Sequence, residues 1–582
     1  MTRSTNSITA FIFVFLAVLL VFSRIPLQHF LPPAAFVAAA AVLAGGLFWY
    51  LAGRRAVVAG MVSLAIFCAI LAIWSFATQS FYPAGHDGYG YHLSAIWDLA
   101  AGWHPFFSHH NNIWVDSYPS GYWTIQSYIV ALTGLPFAGM SLLLGLTVLI
   151  AIQAFGFFYD YLPVTNTRLR LFIALFLAAI VAGNPVVLVQ IHTHYVDASL
   201  YLIGTAIVFF ILTDAFEGNR FSRIGVMAAI VLLINTKTSA LYFGPLVIFG
   251  GILMELTLNK SVRPCLASLL QWFKEKGIAY ALVGIFSIVV IGYKPFVTNI
   301  LDHGALLYPD SGRIMDTNTP LNVEDPMPTV VKFFYGVFAK SEDNHYYIPI
   351  DAPIHLKIPG TFSKSEFTAP YFDIRRGGFG PFFSVALIAS LLAYGFSRFA
   401  SRNNTAVAWR REGDAIAIYG GILFLASAFF PESWWARYIP LLWLGCLFLA
   451  ITPLYLTGRG RLSILSNVFM AIAGVAFLGC ILAGALGAAR QQYHVYQRAE
   501  PIALMAQYPY VELTLNRDVR VFQDQHSKSQ TDGVEVFAKM LEWRGVKSVI
   551  TEHFDDDNCI HSGYFNGGSF WCIPLDSNKK PK

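Results

Sequence analysis

The chain has 582 residues, of which 56% are apolar and only 13% charged, with a formal net charge of +5. Soluble domains carry roughly a quarter of their residues charged, so the composition excludes an ordinary water-soluble enzyme. The small positive excess fits membrane orientation and argues against a nucleic-acid partner. A polytopic α-helical membrane protein remains.

Apolar runs of about 20 residues, each able to cross a hydrocarbon core as a helix, recur from Ile8 to Ala488. The first, Ile8 to Ser23, follows a single Arg3 and lacks a small-residue cleavage site, so it reads as an uncleaved span. Basic clusters at Arg54 with Arg55, Arg168 with Arg170, Arg220 with Arg223, Lys260 to Lys276, Arg398 to Arg411 and Arg459 with Arg461 mark the cytoplasmic loops. The polar segments between them then face outward. This gives about thirteen spans, with the N-terminus inside and the C-terminus outside.

Alternation forces two choices. The stretch Tyr122 to Leu135 is too short to span and is read as an interfacial helix, with Ser120 as its N-cap. Ile224 to Leu256 lies between two basic loops, so it must cross twice, turning at Asn235 to Ser239. That turn brings Lys237 near the outer face, where it either snorkels or meets an anionic ligand.

The chain divides into a transmembrane domain, 1–488, with outer loops 80–136 and 297–378, and a soluble tail, 489–582. The first outer loop holds Gly85 to Trp123, with Asp87, Asp98, Asp116, five histidines and no Lys or Arg. His92 to Ala101 has helical spacing, with Leu93, Ile96, Trp97 and Ala100 on one side and Asp98 on the other. Carboxylates among Tyr and Trp beside a membrane suit proton abstraction or cation binding, although Asp87 is equally a residue that caps a helix. A second outer loop, His192 to Asp197, supplies another carboxylate on the same side. His192 and His194 match no zinc spacing, and structural roles are preferred for them over ligation.

The segment 297–378 carries one amphipathic piece near Val330 to Phe338, and its aromatic content suggests an ordered cover. Arg437, at a helix start on the outer side, can clamp a phosphate, pair with Glu432 or touch a lipid headgroup. Lys294, before Pro295, is similar. Cys68, Cys265, Cys446 and Cys480 fall in or near apolar runs and read as packing residues. The tail reads as a small α/β unit, with strands at Val519 to Gln523 and Val546 to Thr551 and a helix at Val534 to Trp543. Cys559 and Cys572 are expected to form a disulfide there.

Asp87, Tyr91-His92-Leu93, Gly102-Trp103 and Tyr118-Pro119 together resemble the first outer loop of the GT-C superfamily of membrane glycosyltransferases. These enzymes use polyprenyl-phosphate-linked sugars, and the aminoarabinose and protein mannosyl transferases are among them. Asp197 opening a helix, Lys237 in a Thr-Lys-Thr turn, Gly304 with Tyr308-Pro309, and Arg437-Tyr438 follow in order. The resemblance implies a GT-C-like fold and a polyprenyl-phosphate-sugar donor. It implies a glycan, lipid or protein acceptor and an inverting displacement at the outer face of the cytoplasmic membrane.

Carried onto this chain, Asp87 and Asp197 are the catalytic candidates, with Asp87 deprotonating the acceptor. Lys237, Lys294 and Arg437 would hold the departing phosphate, with His86, Tyr91, His92, Tyr308 and Tyr438 lining the substrate site. Where several relatives have paired acidic residues this chain has His86-Asp87-Gly88, which leaves a divalent cation open. A transporter or flippase of lipid-linked glycans is the main alternative, and a non-catalytic glycan-binding assembly factor a third. The outward clustering of polar groups favours an enzyme, since carriers keep ionisable residues near the midplane.

Overall fold

The structure, a computed structural model, describes residues 2–25, 31–258, 265–309, 327–341, 355–402, 409–456, 460–515, 527–565 and 569–575. Lys260 and Arg459 of the basic clusters lie outside these residues, as do parts of the second long outer loop and the strand expected at Val519 to Gln523.

Among the described residues eight helices are long and apolar enough to cross a membrane, or nine if Leu266–Ile291 and Tyr293–His303, bent by 83°, count as one span. Thr167–Ala182, Arg220–Ile234, Arg410–Ala428 and Leu442–Tyr455 are four further rods, shorter or less apolar. The expected count of about thirteen is reached only with all four of them and with the bent pair taken as one span. The molecule is thus a multi-pass α-helical membrane protein. Short polar caps set several starts: Asn166 accepts from the backbone N–H groups of Arg168 and Leu169 at 3.0 and 3.1 Å, and Asn219 accepts from Phe221 at 2.9 Å. Both caps sit beside basic clusters, at Arg168 with Arg170 and at Arg220 with Arg223.

Asp197–Glu217 is the central rod, with all but its last three residues buried. Its neighbours approach closely through small residues: a Cβ on Gly225 would lie 2.6 Å from the Phe210 ring. Asp197, the first residue of this enclosed rod, is buried with it.

The first outer loop forms a π-helical turn, Gly88–His92, that runs into Leu93–Ala100, followed by Ile113–Ser117 and Gly121–Thr133. The helix read as interfacial, Tyr122 to Leu135, is enclosed by protein instead. Gly121–Thr133 is buried along most of its length, and Trp97 packs edge-on against Trp543 of the tail with ring centroids 4.4 Å apart. Trp97 therefore meets the tail, a partner that helical spacing alone could not name, and Leu93 and Ile96 are buried in the same core. Ser120 does not cap Gly121–Thr133; its hydroxyl accepts from Arg24 Nη2 at 2.9 Å.

Helix Arg461–Ala499 is continuous, passing beyond residue 488 into the tail. The tail is a four-stranded sheet in the order β2-β1-β4-β3, with β1 Val511–Leu515, β2 Ser548–Ile550, β3 Cys559–Tyr564 and β4 Ser569–Pro574. β1 and β2 are parallel and the other pairs antiparallel. A disulfide joins Cys559 to Cys572 across β3 and β4. Phe537, in helix Ser527–Trp543, stacks on Phe565 at 4.3 Å, and Phe565 meets Tyr89 of the outer loop at 5.5 Å. Loop and tail thus share one apolar core.

Candidate active site

Asp87 is positioned by the pairing of two outer loops. Ala84 N–H donates to the His192 carbonyl at 2.9 Å, and Asp87 N–H donates to the Tyr195 hydroxyl at 3.3 Å. Gly85 permits this approach: its φ is 107° and a Cβ there would meet the Tyr195 ring at 2.4 Å. The carboxylate keeps 27% of its side-chain surface exposed, so it is reachable.

Arg437 lies opposite. Its Nη1 is 3.3 Å from Asp87 Oδ2 and 4.0 Å from Asp197 Oδ2, while its Nε is 3.0 Å from Asp373 Oδ1. The Nε–H is not aligned to donate, so the Asp373 contact is one of charge rather than a directed hydrogen bond. Tyr195, Trp435 and Tyr438 surround the guanidinium at 5.3, 4.6 and 5.1 Å from their ring centroids. Burial works to lower the Arg437 pKa, and the carboxylates, Asp373 foremost, carry it well above its ordinary value. The cation is therefore permanent.

Lys237 donates to Asp197 Oδ1 and sits over the Tyr438 ring at 4.0 Å. Burial lowers its pKa, with Asp197 opposing. Gln190 fixes the other oxygen of Asp197 at 3.2 Å and accepts from Ala198 N–H at 3.0 Å. Asp197 is only 3% exposed, so it is an internal counter-ion in contact with both cations.

His86 Nδ1 is 3.9 Å from Asp87 Oδ1 at the rim. His92 is buried and accepts from Trp123 Nε1 at 2.8 Å, and burial pushes its pKa down to about 3. The Tyr91 ring lies 4.2 Å from that of His92, and burial with Asp87 nearby raises its phenol well above the usual range. Asp87, His86, Tyr91, His92, Asp197, Lys237, Arg437 and Tyr438 thus converge.

Lys294 and Tyr308 have other partners. Lys294 pairs with Asp116, which also accepts from the backbone N–H of His110 at 2.6 Å and meets His109 Nδ1 at 2.9 Å. Tyr308 stacks on His303 at 3.6 Å. Glu432, the partner weighed for Arg437, accepts instead from Trp434 Nε1 at 2.5 Å.

Asp373, Arg375 and Gln190 were not singled out from the sequence. Asp373 accepts from Trp435 Nε1 at 3.1 Å and from Arg375 Nε at 2.9 Å. Its segment is tied to the Arg437 segment by backbone bonds, Ala436 N–H to Arg375 O and Arg437 N–H to Ile374 O, each 3.2 Å. The available signal was a charged run, Asp373 to Arg376, just ahead of an apolar helix. His192 stacks on Trp74 at 5.5 Å, and both ring nitrogens of His194 are buried with no hydrogen-bond partner among the described residues.

Asp87, Asp197 and Asp373 face Lys237, Arg437 and Arg375, so the site is neutral by formal charge. Carboxylates held by cations make a poor donor set for a metal, and among the described residues no group of three His, Cys, Asp or Glu converges as ligands. The arrangement suits an incoming anion that can exchange places with a carboxylate.

The chain matches no protein-family model and no curated protein. Among solved structures it is similar to ArnT from Cupriavidus metallidurans bound to undecaprenyl phosphate, at 12% identity and a TM-score of 0.46, over 89% of this chain and 99% of that one.

Proposed function

We propose that the protein is a membrane glycosyltransferase that moves a sugar from a polyprenyl-phosphate donor to an acceptor at the outer face of the cytoplasmic membrane. The observation that carries this reading is the Asp87–Arg437 contact: a reachable carboxylate beside a buried, permanently charged guanidinium at the mouth of an apolar bundle. The donor phosphate takes the Arg437 Nη1 contact from Asp87, with Lys237 adding a second positive charge. Asp87, released, accepts the proton of the acceptor hydroxyl or amine as that atom bonds to the anomeric carbon. The bond from that carbon to the phosphate oxygen breaks, the electron pair leaves with the polyprenyl phosphate, and the anomeric centre inverts. Asp197 holds the two cations in register and does not touch the sugar. The tail packed on the first outer loop supports an acceptor approaching from the external side.

The 83° bend between Leu266–Ile291 and Tyr293–His303 is the feature that favours a lipid-linked glycan carrier, since carriers use broken helices. Asp87→Asn separates the two. A transferase loses sugar transfer by about a hundredfold or more while inserting and folding normally, whereas a carrier keeps most of its transport. Retained transfer in Asp87→Asn ends the reading of Asp87 as base.

A further inference from the structure

Buried cations in this molecule commonly face a carboxylate. Lys276 bonds Asp214 and Glu255 at 2.9 and 2.6 Å, and Lys357 bonds Glu366 at 2.6 Å. Arg24, at the outer end of Thr2–Ser23, differs. It is only 6% exposed, yet among the described residues no carboxylate lies within ion-pair range of it. Its Nη2 donates to Ser120 Oγ at 2.9 Å, its guanidinium carbon lies 5.6 Å from the Phe106 ring centroid, and its Nε is buried with no hydrogen-bond partner among the described residues. Burial pushes the group down to about 10, opposed only by the Tyr128 phenol. A guanidinium withdrawn from water with neither counter-ion nor full hydrogen bonding is a costly arrangement that an anion would relieve.

The room for one is beside it. A cavity of about 70 Å³ is lined by Arg24, Ser127 and Tyr128 on its polar side and by Leu31, Pro33 and Phe36 on its apolar side. That is several times the space a single water needs, about 10–15 Å³. Helix Pro33–Ala52 begins at its wall, with the N-terminal end of its dipole toward the cavity. A phosphate in this cavity, beside the Arg24 guanidinium, would supply the missing negative charge. The apolar wall continues toward the exposed Leu31, which suits acyl chains and not a freely dissolved ion.

We propose that Arg24 and the cavity beside it bind the phosphate of an anionic phospholipid headgroup, at a site built from residues other than the Asp87–Arg437 pair. The proposal does not depend on the transferase reading. Its test uses the purified full chain in detergent, titrated with phosphatidylglycerol, phosphatidylcholine or inorganic phosphate, followed by thermal unfolding and native mass spectrometry. Phosphatidylglycerol is expected to raise the unfolding temperature and to stay bound. Arg24→Gln should weaken its apparent affinity about tenfold or more. Phosphatidylcholine, whose choline cancels the charge, and inorganic phosphate should do little. An equal response of Arg24→Gln and the unaltered chain overturns the site, and an inorganic phosphate response matching that of phosphatidylglycerol overturns the lipid as its occupant. Should Arg24→Gln fail to fold, Tyr128→Phe, which removes one cavity hydroxyl and leaves the guanidinium in place, must lower the bound lipid fraction. No change in that variant overturns the proposal equally.

Discussion

Arg437 meets Asp87 through Nη1 at 3.3 Å and Asp373 through Nε at 3.0 Å, and the two carboxylates are not equivalent. Asp373 is 4% exposed and is also held by Trp435 and Arg375, whereas Asp87 is 27% exposed. Asp373 anchors the guanidinium, and Asp87 is the contact a substrate can displace. Arg437→Lys replaces a planar fork with a point charge that cannot serve both positions. We expect sugar transfer to fall by about a hundredfold or more, at little cost in thermal stability. Asp373→Asn should do the reverse in part, lowering stability because Arg375 and Arg437 lose a shared buried partner. Transfer assays beside unfolding temperatures decide, and wild-type transfer in Arg437→Lys would remove the guanidinium from the mechanism.

Lys237 and Asp197 form a buried pair whose members depend on each other. Lys237→Met leaves Asp197 with Gln190 and a longer contact to Arg437, and Asp197→Asn leaves the part-buried Lys237 over Tyr438 without its ion-pair partner. Each single change is expected to cost about 3–5 kcal/mol, because one buried charge is left uncompensated. The double variant should cost clearly less than the sum of the two. Chemical denaturation in detergent measures the cycle. Additive losses would mean that the pair is not coupled as the geometry requires.

Much of this site was legible because charge in an apolar chain is informative wherever it falls. Counting Lys and Arg in short loops put Asp87, Asp197, Lys237 and Arg437 on one side, and loop parity split residues 224–256 into Arg220–Ile234 and Ala240–Leu258. Asp373 escaped notice because its position is set by backbone bonds to Ala436 and Arg437, more than sixty residues further along the chain, and an aperiodic segment carries no trace of that. Lys294 shows the converse: its type and helix-end position match those of Arg437, and only the fold gives it Asp116 as partner. In the tail, the apolar spacing of Val534 to Trp543 marks the C-terminal part of helix Ser527–Trp543, while β1 at Val511–Leu515 carries no such signal and the strand expected at Val519 to Gln523 lies outside the described residues.

The buried outer-loop histidines make the protein acid-sensitive. Burial holds His92 and His194 down to about 3 and His192 down to about 4, from an ordinary 6.5. All three are neutral in the folded state, and the unfolded chain binds more protons as pH falls below 6.5. Their contribution to stability is complete above that value and is lost progressively as pH drops toward 4 and then 3. His92→Gln retains an acceptor for Trp123 and cannot titrate. Between pH 6 and 5 it should remove about 1.2 kcal/mol per pH unit from the slope of stability against pH. Identical slopes in the two proteins would show that His92 is not held neutral.

The disulfide between Cys559 and Cys572 closes a loop with a sequence separation of 13 at the edge of the sheet. Constraining a loop of this length in the unfolded state is worth about 3 kcal/mol. The consequence reaches the site because β3 and β4 carry Phe565 between them, and Phe565 contacts both Phe537 of the tail and Tyr89 of the π-turn that follows Asp87. Cys559→Ser with Cys572→Ser is therefore expected to loosen the tail first and the Asp87 loop second, leaving the transmembrane helices intact. Hydrogen exchange should report faster opening at β3 and β4, then at Gly88–His92, with the central helix Asp197–Glu217 unchanged. Transfer should fall through a poorer orientation of Asp87 while the Arg437 contacts with Asp373 persist. Faster exchange confined to β3 and β4, with full transfer, would show that the tail and the loop do not share one core.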